Sequence, residues 1–156
     1  MTTTAAFRIV PLPREIVERA RRTLTDDFGH ALTPFINPSH GNPCRFTLRQ
    51  SPPGEELLLM SYSPFKRAHP YAEVGPIFIR RHGEAGYAEP THFPPEIDPT
   101  TRVFRCYNAA EEIIDARVGT SQPEELIAEL FSNPAVDCIH VRSLTYGCFT
   151  FKIERA

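Results

Sequence analysis

The sequence predicts an α+β domain: a mainly antiparallel sheet of about seven strands, two helices and a proline-rich, loop-rich middle. Three observations carry this reading. Short apolar runs alternate with polar residues and are separated by turn residues. Two segments instead repeat their apolar residues at helical spacing. Most of the 16 Pro fall between residues 34 and 99, where apolar strands are interleaved with them. A chain of 156 residues suits one domain, read as 1–156 with a core from about residue 7 to 155.

The elements follow in order. Phe7 to Val10 alternate as a short strand. Pro13 opens a helix in which Ile16, Val17, Ala20 and Leu24 share a face opposite Arg14, Glu18, Arg21 and Arg22. From Asp26 to Pro43 turn signals accumulate, among them Gly29, Asn37-Pro38 and Gly41-Asn42-Pro43. Cys44 to Gln50 read as a strand with Phe46 and Leu48 on one face. After the Pro52-Pro53-Gly54 turn, Glu56 to Tyr62 are apolar on both sides at first, as in a central strand. Gly75 to Arg81 form another strand, and residues 82–100 a loop. Arg102 to Tyr107 and Glu112 to Val118 make a hairpin around Asn108 to Glu111. In the second helix Ser121 is the expected N-cap, Glu124 completes a capping box and Pro123 sits in the first turn. Leu126, Ile127, Leu130 and Phe131 form its buried stripe, and Asn133-Pro134 stops it. Strands Val136 to Leu144 and Cys148 to Arg155 close the fold.

The last hairpin has a predictable register. Ile139 and Val141 form one face of its first strand; Phe149, Phe151 and Ile153 are the apolar set of the second. Opposed residues in an antiparallel pair share a face, so Val141 should oppose Phe151. A three-residue loop, Thr145-Tyr146-Gly147, meets that condition and sets Gly147 where a left-handed residue is needed. Arg142 then opposes Thr150, His140 opposes Lys152 and Cys138 opposes Glu154. In this register Cys148 lies too far from His140 for a nucleophilic dyad, and Arg142 becomes its diagonal neighbour. Such a guanidinium favours the thiolate.

Four stretches carry a resemblance: "PCR" from Pro43, "GEELLLMSYSPF" from Gly54, "PYAEVGPIFI" from Pro70 and "HVRSLTYGCF" from His140. Together they resemble the family of domain of unknown function 1203, over about Phe7 to Arg155. Its members carry further cysteines near the positions of Thr47 and Gly83, where this chain departs from the pattern. The resemblance implies one domain and assigns no activity.

Composition excludes several function classes. A net charge of −2 gives no field to draw nucleic acid or an anionic membrane, and no nucleic-acid partner is expected. No apolar run approaches the roughly 20 residues of a membrane span. Residues 1–13 lack a basic segment followed by a long apolar one, and the four cysteines form no CxxC, so a reducing, cytoplasmic setting is expected. Phosphate-loop glycine motifs are absent. Cys138-x-His140 is the only tight pair of metal-ligand type, so neither a metal nor a cofactor is expected. Adjacent acidic pairs fall in turns or helix starts, where solvated charge is the plainer reading.

What remains is an anion-binding reading. Arg45, Arg105, His140 and Arg142 lie on strands beside apolar positions, with Tyr62, Tyr71, Glu73 and Cys148 nearby in the pattern. Arginine suits carboxylate or phosphate recognition in a partly buried pocket. The bland reading is salt bridging, for example Arg105 with Asp115 across their hairpin. The expected function is therefore binding, with turnover open, of a small anionic ligand. The alternative is an interaction module that meets a protein partner or a second copy of itself.

Overall fold

The computed structural model describes residues 6–83 and 85–156. The reading of a missing leader rests partly on residues 1–5, which lie outside the described residues. The chain runs β1 (Phe7–Val10), α1 (Arg14–Thr23), β2 (Phe35–Ile36), β3 (Glu56–Tyr62) and β4 (Gly75–Arg80). A 3-10 turn at Pro99–Thr101 leads to β5 (Arg102–Tyr107), β6 (Ile113–Val118), α2 (Pro123–Phe131), β7 (Cys138–Ser143) and β8 (Phe149–Arg155). The fold is α+β with antiparallel pairing. Its strands divide between a five-stranded sheet, β1-β8-β7-β5-β6, and a three-stranded one, β2-β3-β4. β3 is central in the smaller sheet, as its two-sided apolar pattern predicts. No helix among the described residues is long and apolar enough to cross a membrane.

Each sheet buries one face under one helix. Leu126, Ile127, Leu130 and Phe131 of α2 pack with Phe104, Ile139, Val141 and Phe151 of the large sheet. Val17 and Ala20 of α1 pack with Leu58, Met60, Ile77 and Ile79 of the small one. A sheet with one covered face needs this helix cover, because burial of apolar area is the main favourable term.

The strand expected at Cys44–Gln50 is instead a tight turn. The Leu48 N–H donates to the Cys44 carbonyl, and Leu48 takes the left-handed region at φ 54°. The physical reason lies in the two cores: Phe46 enters the cluster beneath α1, whereas Leu48 enters the one beneath α2. A strand would have sent both to the same side. Arg45, between them, joins three parts of the fold. Its N–H donates to Phe78 O on β4, its carbonyl accepts from Leu12 N, and its Nε donates to Phe149 O on β8 at 2.8 Å.

The capping box of α2 does not form. Gln122 occupies the N-cap without a side-chain cap bond, Pro123 opens the helix, and Glu124 Oε1 accepts from Phe93 N at 3.0 Å. Glu124 thus holds the 82–100 loop over the core instead of capping its own helix. Arg105 does not face Asp115 either: it opposes Ala116, because Asp115 pairs with Cys106.

Two expectations follow from this architecture. Ser121→Ala should change stability by no more than about 0.5 kcal/mol, as for an exposed residue without a role. Glu124→Ala should cost about 1–2 kcal/mol through the lost bond to the loop, both read by denaturant titration. Asp26, with a side chain fully buried, accepts from the N–H groups of Phe28, His30 and Ser61 and from the His30 ring. Burial alone would raise its pKa, but these donors, Ser61 first, hold it at about 2. A depressed carboxyl contributes stability above the unfolded value near 4 and loses it as pH falls toward 2. Asp26→Ala should cost about 2–4 kcal/mol at neutral pH and flatten the loss of stability in that acid window.

Candidate functional site

The β7–β8 ladder follows the expected register as far as Val141↔Phe151, with His140↔Lys152 and Cys138↔Glu154. It then breaks: Arg142 opposes Phe149 instead of Thr150, and the register shifts between Val141 and Arg142. Thr150 is the extra residue of a bulge, which reverses the alternation beyond it. Phe149 therefore leaves the face of Phe151 and lies against His140, Arg142 and Tyr62, with ring centroids 5.4 Å from His140 and 5.7 Å from Tyr62. The Cys138–His140–Arg142 face is consequently covered. His140 is 2% exposed and Arg142 5%.

Over this face lies the 63–74 segment. Phe65 inserts its ring beside His140, Tyr107 and His69, at 5.0, 5.3 and 5.4 Å between centroids. Glu73 closes the segment by bridging two arginines, Oε1 to Arg105 Nη1 and Oε2 to Arg142 Nη1, both at 2.9 Å. Arg142 Nη1 also donates to Gly147 O. The Tyr107 hydroxyl faces the Arg105 guanidinium without a hydrogen bond of normal geometry. The carboxylate partner of Arg105 is thus Glu73, from a distant loop.

A second arrangement lies on the other side of the Tyr146–Cys148 turn. Arg45 is 4% exposed and directs Nε to Phe149 O and Nη1 to Pro43 O. Arg102, at the start of β5, donates Nη1 to Thr150 Oγ1, and its Nε is buried without a partner. Both border a cavity of about 540 Å³ that Asn42, Gln50, Ser143, Thr145 and Cys148 also line, together with Phe78 and Tyr146. Among the described residues no acidic one lines it, and no carboxylate forms an ion pair with either arginine. Burial pulls the Arg45 pKa down to about 10, and the charge of Arg102 adds to this. Burial also lowers Arg102, with Asp98 as a partial counterweight. Both guanidiniums stay charged at neutral pH.

The expected site residues are therefore distributed, not gathered. Arg45 and Cys148 border the acid-free cavity. Tyr62, Glu73, Arg142 and Cys148 border a smaller one of about 120 Å³. His140 lines a third with Cys138 and Lys152. Tyr71 is 42% exposed on the loop, where its N–H donates to His69 Nδ1. Arg102 and the bulged Thr150 are what the sequence reading missed. One signal for Arg102 was available: strand alternation places it on the face of Phe104 and Cys106, an arginine on an apolar side.

Nucleophilic and metal chemistry find little support in the geometry. Cys138 Sγ lies 3.9 Å from His140 Nε2. Burial pushes the Cys138 thiol up to about 11 and, with Arg142, Lys152 and Arg105 nearby, pulls the His140 imidazole down to about 3. A neutral thiol beside a neutral imidazole with so low a pKa is not an activated pair. Cys44 and Cys106 are free thiols in separate cores. Among the described residues no three His, Cys, Asp or Glu side chains form a metal-binding group.

A family model described as "Protein of unknown function (DUF1203)" matches residues 41–155, and the chain belongs to that family. The match spans the Cys44–Leu48 turn, the 63–74 segment and the β7–β8 bulge. No curated protein and no solved structure matches the chain.

The depressed imidazole has a thermodynamic consequence. His140 is neutral in the folded state down to about pH 3, whereas the unfolded chain binds its proton below about 6.5. The unfolded state thus binds more protons in that window, and stability falls with pH by up to about 1.4 kcal/mol per unit. His140→Phe, which keeps a ring within the aromatic cluster, should remove this component between pH 6.5 and 4 in urea titrations. An unchanged pH slope would show that His140 is protonated in the fold.

Proposed function

We propose that this protein binds a small anionic metabolite, a carboxylate or phosphate compound, in the cavity between Arg45 and Arg102. The observation that carries this reading is the pair of charged guanidiniums bordering a cavity of about 540 Å³ that no acidic residue lines among the described residues. A buried charge is costly unless it is paired, and carbonyl and hydroxyl acceptors offset only part of that cost. An anion supplies the missing countercharge through charge-assisted hydrogen bonds. Asn42, Gln50, Ser143 and Thr145 offer neutral donors around it, while Phe78 and Tyr146 offer apolar walls. The cavity is of the size usual for small-molecule sites. Four free thiols fit a reducing, cytoplasmic setting for this binding.

Contrast within the molecule supports the choice of cavity. Arg105 and Arg142 already hold Glu73, so an incoming anion there has to displace a resident carboxylate. Arg45 and Arg102 impose no such competition.

The test combines calorimetric titration with thiol labelling. Inorganic phosphate and small di- and tricarboxylates are the probes. A binder should show saturation, weaken with ionic strength and protect Cys148, which lines the same cavity, from a thiol reagent. Arg102→Ala should weaken binding roughly tenfold to a hundredfold, the worth of one charge-assisted contact, with little change in stability. Binding that is unaltered in Arg102→Ala, or no binding by any probe class, would contradict this assignment.

A further inference from the structure

The edge of the large sheet carries an inference that does not depend on the ligand. β6 pairs only with β5, and its outer edge is open among the described residues. Five of its six residues, Ile114 to Val118, are exposed. An unpaired strand edge is a template for another strand, which natural proteins usually blunt. The Gly119 N–H donates inward to Arg102 O, so by alternation the N–H groups of Ala116 and Val118 point outward. At Ile114, the extra residue where the β5–β6 register shifts, the alternation is broken by a bulge. The Ala116 N–H is met only by the side chain of its neighbour, Asp115 Oδ1 at 2.8 Å.

The order of residues along this edge is self-complementary. An antiparallel pairing of two β6 strands about a two-fold axis at Ala116 opposes Ala116 to Ala116. On either side of the axis it opposes Asp115 to Arg117. The outward N–H groups of the two Ala116 residues then fall at hydrogen-bonded positions, and the ladder ends where Ile114 bulges. The Asp115–Arg117 pairs fall at the closer non-hydrogen-bonded ones, where opposite charges attract most. Ala116 and Val118, the latter 54% exposed in one copy, share one face. Asp115 and Arg117 lie on the other face, that of Cys106 and Phe104. A register one residue away would set Asp115 against Ala116 and lose both charge pairs. A two-fold axis requires each contact to appear twice, and this strand satisfies that with a single sequence.

We propose that the protein self-associates through β6, joining two five-stranded sheets into one continuous antiparallel sheet centred on Ala116. In the dimer Asp115 exchanges its local bond to the Ala116 N–H for the partner's Arg117, and the N–H passes to the ladder. Within one copy Arg117 is paired with Glu129 Oε1 of α2 at 3.1 Å, and in the dimer it shares its charge between the two carboxylates.

Light scattering and sedimentation velocity on the full chain test this directly. The wild type should be a dimer. Asp115→Arg or Arg117→Asp alone sets like charges opposite each other and should weaken dimerisation at least tenfold. The double exchange restores opposite charges in the same register and should recover it. Ala116→Pro removes an outward N–H at an edge strand, where proline is tolerated, and should give a folded monomer. The circular dichroism spectrum of each variant separates loss of pairing from loss of fold, and the double exchange provides a readout even if one single variant folds poorly. A monomeric wild type at every concentration, or a dimer that ignores both single charge reversals, would overturn the proposal.

Discussion

A single guanidinium determines how the two sheets meet. Arg45 is buried where the small sheet, the β1–α1 connection and the start of β8 converge. Its backbone bonds to β4 and to Leu12, and its side chain bonds to β8. Because the Cys44–Leu48 turn sends Phe46 into one core and Leu48 into the other, Arg45 between them is buried except where it borders the cavity. Its charge must be met at the junction. Two carbonyl oxygens meet it in part, and the cavity it shares with Arg102 is what that junction leaves open.

The remaining charge of the site is arranged around this constraint. The 63–74 segment carries its own acid, Glu73, to Arg105 and Arg142, while Glu111 accepts from the Lys66 backbone N–H. That segment is thus fastened by compensated pairs, and Phe65 seals the face beneath it. Among the described residues no acid lines the Arg45–Arg102 cavity. Thr150, displaced by the β-bulge, gives Arg102 a neutral acceptor there. The same bulge turns Phe149 toward His140, which buries the imidazole and lowers its pKa. One inserted residue therefore shapes both sides of the β7–β8 ladder.

How far the sequence discloses this depends on the range of each signal. Alternation and helical period are local, and they place β1, β3, β4, β5, β6, α1 and α2 close to where the structure has them. The register of β7 and β8 is legible up to Val141 because both strands bury a clean apolar set. Past that point a bulge has no composition of its own, and the strand pattern continues as if it were absent. Cys44–Gln50 fail for a related reason. Alternation at Phe46 and Leu48 marks two buried side chains but not which core each enters. The Ser121 capping box looked complete, yet Glu124 has a tertiary partner in Phe93, which no local rule contains. Arg45 was legible as a candidate, whereas its pairing with Arg102 depends on sheet order and could not be read from spacing.

The most direct measurement of the central claim follows the arginine side-chain Nε–H resonances by NMR during a titration with inorganic phosphate. The account requires saturable shifts of Arg45 and Arg102 with one common dissociation constant, while exposed arginines such as Arg8 shift weakly and in proportion to added salt. Uniform, non-saturating shifts across all arginines, with Arg45 and Arg102 no different from Arg8, would contradict it.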